Sequence, residues 1–74
     1  MREHKRMGRW TVAEVASFLR IRDLAGPAKV LAESGVNGND LLGLRLEVLT
    51  AELRLSTFAA RKVVLARDAF QAES

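Results

Sequence analysis

The stretch WTVAEVASFL, residues 10–19, gives the clearest indication of the fold. Thr11 and Glu14 have the spacing of a capping box, in which each side chain accepts a hydrogen bond from the backbone amide of the other residue. Apolar residues then recur three and four positions apart, which is typical of a helix with one buried face. Trp10 precedes the cap and has the spacing to pack on Val15, so we expect it to anchor the core. We therefore predict a first helix directly after Thr11.

Two further helices are predicted from proline, glycine and asparagine. Gly26-Pro27 predicts the start of a second helix, because proline is favoured at the first helical position. Gly35 predicts its end, because glycine adopts the left-handed cap conformation without a steric penalty. Asn39 is predicted to cap a short third helix over residues 40–43.

The C-terminal half predicts two more helices and no strand. Leucines at helical spacing from Leu46 to Leu53 define a fourth helix, and Ser56 or Thr57 is predicted to cap a final helix over residues 58–72. Phe58 and Leu65 are expected on the buried face of that last helix. The fold class expected is all-α, a compact bundle of five helices of which the last is the longest.

Length and composition limit the function classes. The 74 residues suffice for one domain, without cysteine to form disulfides or thiolate metal sites. No run approaches the roughly 18 apolar residues of a membrane span, and residues 1–9 lack the apolar region of a secretory signal. We expect a basic, flexible leader over residues 1–9, a helical domain over residues 10–72, and an intracellular location, cytoplasmic or nuclear.

The charges are divided along the chain. Residues 1–9 carry four basic side chains and one acidic one, whereas residues 10–74 carry eight of each. Within residues 23–52, five acidic side chains oppose two basic ones, and from residue 53 onward four basic side chains oppose two acidic ones. Such a domain can attract copies of itself head to tail. An ordinary mixed-charge surface is the alternative interpretation.

The sequence offers no catalytic motif. A paired-carboxylate site stays open as an alternative, for which 74 residues leave little room to form a substrate cleft. His4 is the only histidine and lies in the leader, so a Ser-His-Asp arrangement would have no base inside the fold. The acidic residues lack the spacing of a calcium loop, and the glycines form no phosphate-binding loop. We therefore expect neither an enzyme, nor a metal site, nor a cofactor.

Three segments, in this order, resemble the sterile alpha motif (SAM) domain family. They are residues 10–19, the segment GVNGNDLLGL at residues 35–44, and residues 53–65, which include Leu53-Arg54-Leu55 and Ala60-Arg61-Lys62. The resemblance covers residues 10 to about 70. The chain departs from the family pattern at Arg54 and Ala59, where glycine is common, and at Asp68, where an apolar residue is usual.

The resemblance implies a protein–protein interaction module of the kind found beside kinase, scaffold or regulatory domains in signalling proteins. Its partner would be a second copy, another SAM domain or another protein. Many SAM domains join through a basic surface at the start of the last helix and an acidic surface across the middle helices. The basic surface would comprise Arg54, Thr57, Phe58, Arg61 and Lys62, and the acidic surface Asp23, Glu33, Asp40 and Glu47.

Other interpretations remain open from the sequence. A minority of SAM domains bind RNA hairpins through the start of the last helix, and Ala60-Arg61-Lys62 looks similar to that segment. Attachment to a membrane surface or to DNA is a third hypothesis, although no helix is strongly basic. Arg61 and Lys62 could also belong to an ordinary solvated face.

Overall fold

The computed structural model describes residues 6–73, which form a short 3₁₀ turn at Met7–Arg9 followed by five α-helices. Within these residues there is no strand, and the last helix is the longest, as the sequence predicts. Residues 1–5, which include His4 and much of the basic leader, lie outside the described part of the chain, as does Ser74. The helices are α1 (Val12–Ile21), α2 (Ala25–Glu33), α3 (Gly38–Gly43), α4 (Leu46–Ala51) and α5 (Thr57–Glu73).

The start of α1 confirms the predicted capping box. The Thr11 amide donates to Glu14 Oε1 over 2.8 Å, and the Glu14 amide donates to Thr11 Oγ1 over 3.1 Å. Trp10 packs against the core through two aromatic neighbours, with ring centroids 5.1 Å from Phe18 and 5.0 Å from Phe70. Tilted pairs at this separation contribute beyond the area that they bury. This cluster joins both ends of the folded chain.

Helix α2 begins two residues earlier than the sequence predicts. Its first residue is Ala25, so Pro27 is the third helical residue and not the first. The position is still compatible with proline, because the first amides of a helix have no intrahelical acceptor. The prediction for its end is confirmed: Gly35 has φ +73°, and the Val36 amide donates to Leu31 O over 3.0 Å.

Helix α3 also begins earlier than predicted, because Asn37 and not Asn39 is its cap. The Asp40 amide donates to Asn37 Oδ1 over 2.9 Å, and the Asn37 amide donates to Asp40 Oδ2 over 3.2 Å. Aspartate at the third helical position completes the reciprocal pair, although glutamate or glutamine is the usual partner. The prediction of Asn39 overlooked this pair.

The N-terminal turn packs directly on the start of α3. The Gly38 amide donates to Trp10 O over 2.9 Å, and a Cβ atom at position 38 would lie 1.7 Å from Met7 O. Only glycine permits this approach. Met7 belongs to the segment predicted to be a leader, yet it is only 1% exposed and belongs to the hydrophobic core.

The connection between α4 and α5 contains a left-handed residue. Helix α4 ends at Ala51, before Leu53, and the Leu55 amide returns to Leu49 O over 3.0 Å. Arg54 within this turn has φ +65°, a conformation that glycine adopts at no steric cost.

Helix α5 begins at the predicted cap but buries a different face. Ser56 Oγ accepts from the Ala59 amide over 3.1 Å, which fits Ser56 as the cap. The buried residues of this helix are Ala60, Val63 and Ala66. The expectation that Phe58 and Leu65 face the core is wrong, because they are 72% and 62% exposed. Small residues let α5 approach its neighbours closely, and the two large side chains remain outside.

Candidate interaction surfaces

The basic surface, Arg54, Thr57, Phe58, Arg61 and Lys62, lies on the α4–α5 turn and on the first two turns of α5. All five residues are exposed. The left-handed turn at Arg54 and the Ser56 cap determine the first residue of α5. They therefore also determine the positions of the surface residues on that helix. Lys62 Nζ lies 4.6 Å from the centroid of the Phe58 ring, within the range of a cation–π contact.

An exposed phenylalanine distinguishes the basic surface from an ordinary solvated helix face. Transfer of a whole side chain of this size out of water is worth about 1.5–3 kcal/mol, and most of that is unrealised at Phe58 in the isolated domain. The contact with Lys62 covers part of the ring while the ammonium group stays in water. The first amides of α5 add partial positive charge beside it. The surface therefore combines an apolar centre with a cationic rim.

The acidic surface, Asp23, Glu33, Asp40 and Glu47, is distributed over four segments. Asp23 lies between α1 and α2 with φ +66°, Glu33 is the last residue of α2, and Glu47 is in the first turn of α4. All four side chains are exposed. Asp40 differs from the others because its carboxylate caps α3.

The two surfaces do not neutralise each other within one molecule. Among residues 6–73, no ion pair joins Arg61 or Lys62 to Asp40 or Glu47. The ion pair in that part of the chain links Arg67 Nε to Asp68 Oδ1 over 3.0 Å, within α5 itself. Within residues 6–73, Arg61, Lys62 and Glu47 are therefore exposed and form no ion pair with the opposite surface.

Arg67 has a structural role that the local sequence pattern does not predict. Its guanidinium donates to Leu41 O over 3.2 Å and also to Leu44 O, so it satisfies carbonyls at the C-terminal end of α3. The side chain is only 16% exposed. Residues 41 and 67 are far apart in sequence, so no local pattern indicates this contact.

The described residues contain no cluster of side chains that could bind a metal ion. No group of three or more histidine, cysteine, aspartate or glutamate side chains in residues 6–73 could hold a metal ion. No helix in the described segment is long and apolar enough to cross a membrane.

Comparisons with known proteins leave the family assignment open. No protein-family model, curated protein or solved structure matches the chain. The resemblance to SAM domains therefore stays a prediction from the sequence segments.

Proposed function

We propose that this chain is a SAM-like protein–protein interaction module, which docks the basic surface of one domain onto the acidic surface of another. The observation that carries the proposal is the exposed Phe58 at the start of α5, with the Lys62 ammonium over its ring. An exposed aromatic residue within a charged rim is the arrangement expected at the centre of a specific contact.

The energetics assign different roles to the parts of this surface. Burial of Phe58 would supply up to about 1.5–3 kcal/mol. Each exposed ion pair formed by Arg61 or Lys62 would supply about 0–1 kcal/mol, and it would mainly steer the encounter and set its register. Phe58 is therefore the expected anchor, and the charges select an acidic partner surface.

The geometry of such a contact favours assemblies larger than a dimer. The basic and acidic surfaces are different patches of one molecule, so their docking is heterologous. Successive copies then form either a closed ring or an open helical polymer. A different protein that carries an acidic surface would dock in the same way without extending the chain.

The decisive experiment uses one charge reversal on each surface. Lys62→Glu disables the basic surface, and Glu47→Lys disables part of the acidic one. Glu47 is preferable to Asp40, because Asp40 also caps α3 and its replacement would alter the fold. Sedimentation velocity over a concentration series should show association of the parent and weaker association of each variant. A mixture of the two variants should form a one-to-one complex, because each mixed pair keeps one intact basic surface and one intact acidic surface.

The outcomes separate the proposal from its alternatives. If the parent and both variants sediment alike, or if the parent stays monomeric throughout the series, self-docking through these surfaces is excluded. Phe58→Ala should weaken association more than Arg61→Ala, because the ring supplies the apolar area. Equal effects would contradict the assigned anchor.

RNA-hairpin binding has less support from the surface. Ala60 is fully buried, so only Arg61 and Lys62 of the segment that resembles RNA-binding SAM domains reach the surface. Two cations offer few phosphate contacts. A filter-binding titration at low salt, with and without residues 1–6, tests this alternative, and binding that survives the deletion would favour it.

A further inference from the structure

Helix α5 carries a second seam on the side away from the core, which is apolar except for Lys62. Phe58, Lys62, Leu65, Ala69 and Ala72 follow one another at spacings of four, three, four and three residues, and all five are exposed. This is the heptad spacing of residues that pack between paired helices. With a rise of about 1.5 Å per residue, the seam extends for about 21 Å.

The charges beside this seam change sign along the helix. Arg61 and Lys62 lie in the N-terminal half, whereas Asp68 and Glu73 lie in the C-terminal half. Arg67 is also in the C-terminal half and pairs with Asp68 Oδ1, but its guanidinium reaches back to the carbonyls of α3. Arg61 and Asp68 are seven residues apart, so they lie along the same edge of the seam, on either side of Leu65. A helix with this order of charges is complementary to a copy of itself that runs in the opposite direction.

We propose that α5 pairs with α5 of a second copy of this chain, in an antiparallel arrangement centred on Leu65. In this arrangement Leu65 packs against its own counterpart, and the Arg61 of each copy approaches the Asp68 of the other. A parallel arrangement would bring Arg61 and Lys62 of both copies together, so like-charge repulsion disfavours it. The contact is isologous and closes as a two-fold dimer.

This dimer is separate from the head-to-tail docking proposed above and does not depend on it. Phe58 and Lys62 belong to both contacts, so one α5 can take part in only one of them at a time. The acidic surface has no part in the antiparallel pair. A seam of about four turns is small beside a standard interface of about 800 Å² per partner, so the dimer should be reversible and dependent on concentration.

A single engineered thiol tests the pairing directly. The chain has no cysteine, so Leu65→Cys introduces the only thiol, at the centre of the proposed two-fold axis. Ile21→Cys is the matched control, because Ile21 is an apolar helix residue that is 84% exposed and lies on α1. On mild oxidation, Leu65→Cys should form a disulfide-linked dimer at least about tenfold faster than the control. Equal rates would overturn the proposal.

A charge exchange separates this dimer from head-to-tail docking. Asp68→Lys and Arg61→Glu should each weaken the antiparallel dimer, and an equimolar mixture should restore it, because both cross-helix contacts become attractive again. Asp68→Lys leaves both proposed docking surfaces intact, so head-to-tail docking predicts that it associates like the parent.

Folding of each variant is checked by far-UV circular dichroism. Asp68 pairs with Arg67 in the parent, and Asp68→Asn provides a milder change in the same direction if the lysine variant unfolds. Leu65→Glu, at an exposed position, should abolish the antiparallel dimer and leave head-to-tail docking unchanged. Association of Leu65→Glu and Asp68→Lys equal to that of the parent would exclude pairing through α5 while leaving the two-surface proposal standing.

Discussion

Substitution of Gly38 by alanine should uncouple the N-terminal turn from the helical bundle. An ideal Cβ atom at this position would lie 1.7 Å from Met7 O and 2.9 Å from Trp10 Cβ. Ordinary van der Waals contacts begin at about 3.4 Å, and one of these neighbours is a backbone carbonyl, so the turn must retreat by more than 1 Å. No rotamer change can relieve the clash.

The expected loss of unfolding free energy follows from the contacts that break when the N-terminal turn moves away from α3. The hydrogen bond from the Gly38 amide to Trp10 O would break, at about 1–3 kcal/mol for a group left unpaired. Met7 would lose part of a burial worth about 1.5–3 kcal/mol. Improved helix propensity returns at most about 1 kcal/mol. The net loss is about 2–4 kcal/mol, from a total of about 4–11 kcal/mol for a chain of 74 residues.

Urea and thermal unfolding followed by circular dichroism measure this loss. Gly26→Ala and Gly43→Ala are matched controls, because a Cβ atom at either position meets nothing within 4 Å. They should unfold within about 1 kcal/mol of the parent, whereas Gly38→Ala should melt at least about 10 °C lower. A Gly38→Ala midpoint equal to that of the controls would show that the turn does not pack on α3 as described.

Three further outcomes are expected. Arg54→Gly should raise the thermal midpoint by about 4–8 °C, because glycine removes about 1 kcal/mol of left-handed strain; a lower midpoint would contradict that source of strain. Arg67→Met should cost about 1.5–3 kcal/mol in urea unfolding, because the carbonyls at the end of α3 lose a charged donor. The control Arg61→Met, at an exposed site that has no ion pair within residues 6–73, should stay within about 0.5 kcal/mol of the parent. Association should weaken when the ionic strength rises from about 0.1 M to about 1 M, which shortens the screening length from about 10 Å to about 3 Å; sedimentation that is independent of salt would contradict docking steered by charge.

The sequence predicted the features that depend on short-range hydrogen bonds. The Thr11–Glu14 capping box, the glycine stop at Gly35 and the cap at Ser56, one of the two predicted candidates, all involve atoms a few residues apart. Each leaves a recognisable pattern of residue types. The number of helices and the longest helix followed from these signals.

The predicted starts of α2 and α3 lie two residues after the starts in the structure, and each difference has a physical reason. Proline is acceptable anywhere in the first turn of a helix, so Pro27 did not specify the first residue. Near α3, both Asn37 and Asn39 are good caps, and the reciprocal bond with Asp40 selects Asn37. Residue preference alone does not distinguish two neighbouring candidates.

Long-range contacts were not accessible from the sequence. Met7 is buried because the N-terminal turn lies against α3, and Arg67 is half-buried because it reaches across to the carbonyls at the end of that helix. A residue within a basic segment, such as Met7, or a charged residue, such as Arg67, is normally expected to be solvated. Only the packing of distant segments places these two side chains inside.

Helix α5 shows why helical periodicity did not identify its buried face. The helix has two apolar stripes: a stripe of small residues, Ala60, Val63 and Ala66, and an exposed stripe that contains Phe58 and Leu65. The stripe with phenylalanine and leucine has the larger apolar area, so the sequence predicts that this stripe is the buried one. The close approach of α4 and α2 to α5 favours small residues at the contact instead, because larger side chains would overpack it. The large apolar residues are therefore available for contacts between molecules, and the same observation that corrects the predicted core supports both proposed interfaces.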